Sequence, residues 1–179
     1  QEIGSIGGQL DAFTAKECAS YYVKVLDEHL PRAVAVLSDL LLHPKFDADD
    51  IAREKKVVLE EIKMVEDTPD DMVFDLHGAK FWNGHAYGQP ILGTRETVRA
   101  FEIDDLRSLH SERYRGRNIV LGCVGNIEHD DVVSQLMELF GGVGAGCVSP
   151  EIEEPADTIS GRNSVVRDAA QAHLVISHA

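Results

Sequence analysis

Between Gly8 and Leu26 apolar and polar residues alternate, first in LDAFT and then in CASYYVKVL, with the two-residue period of a half-buried strand. The break from Thr14 to Glu17 predicts two strands joined there, after a turn at Gly7 and Gly8. From His29 the period changes to three and four. HLPRAVAVLSDLLLHP reads as an amphipathic helix with Pro31 in its first turn and Pro44 closing it. The run DADDIAREKKVVLEEIKMVEDTPDD predicts a longer helix, capped by Asp47 or Asp49 and stopped between Asp67 and Pro69. Pro69 then opens a third helix, PDDMVFDLHGAKFW, in which Trp82 beside Phe81 is expected to anchor the helix against the sheet. NGHAYGQPILGT reads as a loop, and TRETVRAFEIDDLRSLHSERYR as two short helices parted near Ile103. RNIVLGCVGNI reads as a buried strand and HDDVVSQLMELFGG as a helix ended by glycine. GVGAGCVSPEIEEPADTISGR is polar and rich in Gly, Pro and acid, a linker composition, and SVVRDAAQAHLVISHA opens another strand region. The pattern predicts an α+β fold, a mostly antiparallel sheet with helices packed on one face in two layers.

The long helix carries the most informative residues. Glu54 and Glu61 stand seven apart, so they share one face about 20° out of register. On a helical projection they fall between Ile51, Val58, Ile62 and Val65 on one side and Val57 and Met64 on the other. Glu60 belongs to the polar side with Arg53. Both carboxylates are therefore expected to face inward, and an inward carboxylate requires a cation, a metal or hydrogen-bond donors. Lys55 and Glu66 also fall within the apolar arc, so periodicity alone leaves open a surface helix laced with ion pairs.

Composition narrows the function classes. A 179-residue chain that is 44% hydrophobic can hold the core of an ordinary domain. With a net charge of −14 and pI near 4.8, nucleic acid is not an expected partner. No apolar run approaches the ~20 residues of a membrane span. Cys18, Cys123 and Cys147 have no paired spacing, and Cys18 and Cys123 are expected to be buried thiols. His85, in a loop beside Gly and Tyr, reads as structural, and Arg113, Arg115 and Arg117 as a solvated turn. Of Tyr21 and Tyr22, which alternate along a strand, one is expected in the core. Asp11, Ala12, Phe13 and Thr14 form a strand near a glycine turn; it is either a core strand or an edge able to pair with an extended peptide.

The segments GSIGGQLDAFTAKECASYYVKVLDEHLPRAVAVLSDLLLHPKFDADDIAREKKVVLEEIKMVEDTPDD, GQPILGT and NIVLGCVGNI, in this order, resemble the pitrilysin, insulinase and mitochondrial processing peptidase family of zinc peptidases. The resemblance covers nearly the whole chain. It implies an HxxEH motif whose two histidines bind one zinc ion and whose glutamate activates water, with a distal glutamate completing the metal site. That distal ligand matches Glu61. Glu54 matches a second acidic position that supports the metal site and is needed for catalysis, as a carboxylate holding the spare N–H of a ligating imidazole would be. The strand at Asp11, Ala12 and Phe13 matches one that holds substrate by strand addition, except that Asp11 stands where asparagine is usual. An ionised carboxylate cannot donate to a peptide carbonyl as an amide does.

One departure is large. The HxxEH motif would fall upstream of Gln1, since only sixty residues precede Glu61 and no two of the eight histidines stand four apart. The resemblance thus implies a fragment truncated at both ends. Residues 1–148 would be an incomplete N-terminal peptidase domain and 149–179 a linker with the start of the next strand region. The implied function is that of a zinc-dependent metalloendopeptidase acting through zinc-bound water, inactive in this piece for want of HxxEH; the alternative is a non-catalytic partner or scaffold subunit. Its partners would be peptide or unfolded-protein substrates and a second homologous half or subunit closing a chamber. EEIKMVEDTPDD is similar to bacterial members, which implies cytoplasm, with export as the alternative.

Overall fold

The computed structural model describes residues 2–146, 158–168 and 170–178, in two compact units. Gln1–Phe46 and Glu102–Ser149 form the first; Asp47–Phe101 and Pro150–Ala179 form the second.

The first unit begins with a short 3-10 turn, Gly4–Ile6, ended by Gly7 at φ 71°, the left-handed region that glycine enters without steric cost. Gly8 is held tighter still. A Cβ there would meet Ile3 Cγ2 and Val25 Cγ1 at 2.7 Å. The chain then enters β1 (Gln9–Thr14), which pairs antiparallel with β2 (Ala19–Lys24) in the register Asp11 to Tyr22 and Ala12 to Tyr21. Ala15 N–H donates to Cys18 O at 2.7 Å and closes the hairpin over Lys16 and Glu17. Along β2 Tyr21 and Val23 are half-buried and Tyr22 and Lys24 exposed, so the two tyrosines face opposite sides but neither is fully buried.

Helix α1 (Leu30–Leu42) packs on β2 and on α6 (His129–Phe140), burying Ala33 and Val34, with Val132 buried on α6. Helix α5 (Ile103–Arg113) is tied to both other parts. His110 Nε2–H donates to Leu41 O at 2.8 Å, satisfying a carbonyl in the last turn of α1, and Tyr114 O meets Tyr21 O at 2.7 Å.

In the second unit Asp47 caps α2 (Ala48–Asp67), accepting from Asp49 N–H and Asp50 N–H at 3.0 and 3.1 Å. Pro69 opens α3 (Pro69–Phe81), and Thr94 caps α4 (Arg95–Ala100) in a reciprocal pair with Thr97. Both α3 and α4 pack on α2. Ile62 and Val98 are the buried apolar residues of this unit. Trp82 makes ring contacts with Phe81, His85 and Tyr87 in an aromatic cluster.

The α+β class holds, with six helices and a two-stranded antiparallel sheet among the described residues. Two strand expectations do not. Residues 119–124 lie outside any described strand, and Val120 and Val124 are 94% and 99% exposed. Residues 164–168 and 170–178 likewise form no strand, and Ile159 and Ser177 touch α3 through Ile159 N–H to Phe81 O and a 2.6 Å contact of Ser177 Oγ with His77 Nε2. A strand's backbone bonds lie outside itself, so apolar β-branched sequence without a neighbour stays unpaired. Cys18 and Cys123, expected to be buried, are exposed, Cys18 beside the hairpin loop and Cys123 on the unpaired run. Cys147 and most of the linker lie outside the described residues.

Candidate functional site

The candidate residues fall into two groups, Asp11, Ala12 and Phe13 on the first unit and Glu54 and Glu61 on the second.

On α2 the packed seam runs through buried Ile62 and half-buried Ile51, Val58, Leu59 and Val65. Glu54 and Glu61 are exposed, which corrects the inward orientation expected of them. The second apolar arc explains the difference: Val57 and Met64 are exposed as well, so among the described residues nothing covers the side of the helix on which the glutamates stand. The polar groups that do join the packed side are Lys55 and Glu66. Lys55 Nζ donates to the carbonyls of Arg99 and Phe101, which α4 leaves free at its C-terminal end. Glu66 takes Arg95 in a two-pronged ion pair, with Arg95 Nε 3.2 Å from each carboxylate oxygen. The guanidinium holds the Glu66 carboxyl below the usual glutamate value.

Glu54 and Glu61 make no hydrogen bond or ion pair among the described residues. Seven residues span about 10 Å along a helix axis, so the two cannot ligate one ion together at about 2.0–2.2 Å. Among the described residues no three His, Cys, Asp or Glu side chains gather as a metal site. Each glutamate therefore fits a metal as a single free oxygen donor whose co-ligands come from elsewhere.

On β1 the geometry is more complete. Every residue of the strand is exposed, and among the described residues only β2 pairs with it. Because Ala15 and Cys18 are a hydrogen-bonded pair, the alternation of an antiparallel ladder turns the backbone groups of Ala12 and Thr14 to the open edge. Ala12 N–H donates there to Asp11 Oδ1 at 2.8 Å. Asp11 Oδ2 accepts from the Tyr22 hydroxyl at 3.2 Å, and that bond to a carboxylate raises the Tyr22 pKa. In the sequence Tyr22 reads only as one of an alternating pair, although a two-residue hairpin loop places it opposite Asp11.

The remaining residues are structural. His85 Nδ1 accepts from Tyr87 N–H at 3.1 Å, ordering the loop before α4, and Arg113, Arg115 and Arg117 are exposed. No helix of the described residues is long and apolar enough to cross a membrane.

Comparison with known proteins gives the family. The uncharacterized zinc protease YmxG of Bacillus subtilis is 40% identical over 171 residues, covering 96% of this chain and 41% of that protein. The beta subunit of the mitochondrial-processing peptidase of Dictyostelium discoideum is 36% identical over 173 residues, covering 95% of this chain and 37% of that one. The chain thus spans about two fifths of the length of these relatives. Among solved structures, a protease from Helicobacter pylori superposes with a TM-score of 0.77 at 19% identity, over 86% of this chain and 37% of its own. The peptidase M16 inactive domain from Pseudomonas fluorescens gives 0.78 at 18%, over 87% and 38%. At that identity the likeness is one of fold. A family model described as the peptidase M16 inactive domain matches residues 100–177, and one described as insulinase (peptidase family M16) matches residues 1–95, more than half of the 179. The chain belongs to the insulinase family of peptidases, peptidase family M16.

Proposed function

We propose that the chain is part of a zinc-dependent metalloendopeptidase that hydrolyses peptide bonds through zinc-bound water. The observation that carries this reading is the pair of exposed carboxylates, Glu54 and Glu61, unpartnered among the described residues, in a chain whose relatives are named zinc proteases. Glu61 holds the metal through its carboxylate, in a ligand set completed by two histidines of an HxxEH motif that these 179 residues do not contain. Glu54 acts one step removed, orienting a ligating imidazole through its spare N–H. Bound zinc supplies Lewis acidity and a water acidic enough to attack near neutral pH. The open edge of β1, at Asp11, Ala12 and Phe13, receives the peptide as an added strand.

Residues 1–148 then carry the peptidase domain and 149–179 lead out of it. The substrates are peptides or unfolded proteins, a second homologous half or subunit closes the chamber, and a bacterial cytoplasm suits the acidic, thiol-bearing chain. Alone, with one metal ligand and no general base, it does not turn over.

The test uses the whole protein. Glu61→Gln abolishes zinc retention after dialysis and activity with it, whereas Glu54→Gln retains part of the metal and loses most of the turnover. Wild-type zinc content and turnover in Glu61→Gln overturn the reading. A second reading, a non-catalytic partner or scaffold, is supported by the inactive-domain match over residues 100–177. It requires a whole protein that binds its homologous subunit and holds no zinc.

A further inference from the structure

The hairpin carries more chemistry than strand addition needs. Successive side chains alternate across a strand, so Asp11 and Phe13 share one face of the hairpin with Tyr22, which stands opposite Asp11. On that face Phe13 is 55% and Tyr22 42% exposed, which leaves the Asp11 carboxylate flanked by two open aromatic rings. Lys24 lies on the same face opposite Gln9 and makes no ion pair with Asp11 among the described residues. A carboxylate beside exposed rings suits a lysine or arginine side chain, whose stem lies along the rings while its head meets the acid.

The same carboxylate also closes the edge. Its Oδ1 occupies Ala12 N–H, the donor an added strand would use, so a docking peptide carbonyl must displace it. A cation that pairs with Asp11 draws the carboxylate off Ala12 and frees that donor. Recognition of charge and opening of the edge are then one event.

Resting on the reading of β1 as the peptide-binding edge, we propose that Asp11 makes that edge selective for extended peptides with a lysine or arginine beside it. The net charge of −14 favours the same peptides at long range.

The test measures fluorescence anisotropy of labelled, β-prone decapeptides on the 179-residue chain. One lysine is walked through an otherwise neutral sequence, with norleucine at each position as the uncharged match. At one register the lysine peptide binds about three- to fivefold tighter, the size of an exposed charge pair, and the preference fades at about 0.5 M salt. Asp11→Asn brings the ratio to about one, with far-ultraviolet circular dichroism confirming the fold. An equal lysine preference in wild type and Asp11→Asn overturns the proposal. Ala12→Pro separates the two levels: proline is tolerated on an edge whose N–H faces outward, and it removes the donor. Peptide binding unchanged by Ala12→Pro, or no binding by wild type, sinks the strand-addition reading itself.

Discussion

Tyr114 stands where α5, β2 and the end of α1 meet. Its ring stacks on His110 with centroids 4.4 Å apart, and its hydroxyl lies 2.7 Å from that of Tyr21. Burial first, and the Tyr21 hydrogen bond second, push its pKa from the ordinary 10.0 up to about 12. A raised pKa means that the folded chain keeps a proton the unfolded chain gives up. The stabilisation is complete below pH ~10 and is lost as pH rises through ~12. Tyrosinate absorbance should therefore show one of the four tyrosines titrating near the top of that range, coincident with loss of structure. Tyr21→Phe should lower that midpoint only in part, since burial is the larger cause. A midpoint at the ordinary value in the wild type would contradict the packing described. Glu54 and Glu61 show what residue-scale reading misses. Their spacing and shared face were legible, but which arc of α2 is covered depends on α3 and α4, and the acid that took a partner is Glu66, whose Arg95 lies 29 residues away.

At the scale of elements, α2 illustrates why the helices were legible. A helix satisfies its own backbone and needs only caps and a stop, and Asp47, Thr68 and Pro69 supply these in the sequence itself. Asp47→Ala should cost about 1 kcal/mol, because it orphans the N–H groups of Asp49 and Asp50 together. Urea unfolding followed by circular dichroism checks this, and an unchanged midpoint would mean that the cap is idle. The hairpin was legible for a similar reason: its partner strand follows after two residues. The segments 119–124 and 170–178 have equally strong strand composition, yet among the described residues no partner lies beside them. Composition specifies that a segment will extend; it does not supply the second strand.

Those unpaired segments govern how the whole chain should behave in solution. Val120, Val124, Leu174 and Ile176 are exposed, and on the first unit Leu121 joins Val133, Met137 and Phe140 around an apolar groove of about 240 Å³. Extended apolar sequence with free backbone groups is a template for pairing with another chain. The net charge of −14 opposes that approach. Which effect wins is decided by salt, because screening shortens the repulsion to about 8 Å at physiological ionic strength while leaving apolar contact intact. The 179-residue chain should bind an environment-sensitive hydrophobic dye and self-associate increasingly from low to high salt, as read by sedimentation velocity. An association built on ion pairs would run the other way. Val120→Lys with Val124→Lys should suppress both signals without lowering the urea midpoint, since neither side chain is buried in the folded chain. A dye-silent wild type that stays monomeric at every salt concentration would show that these runs are covered in solution and that their exposure is not a property of the chain.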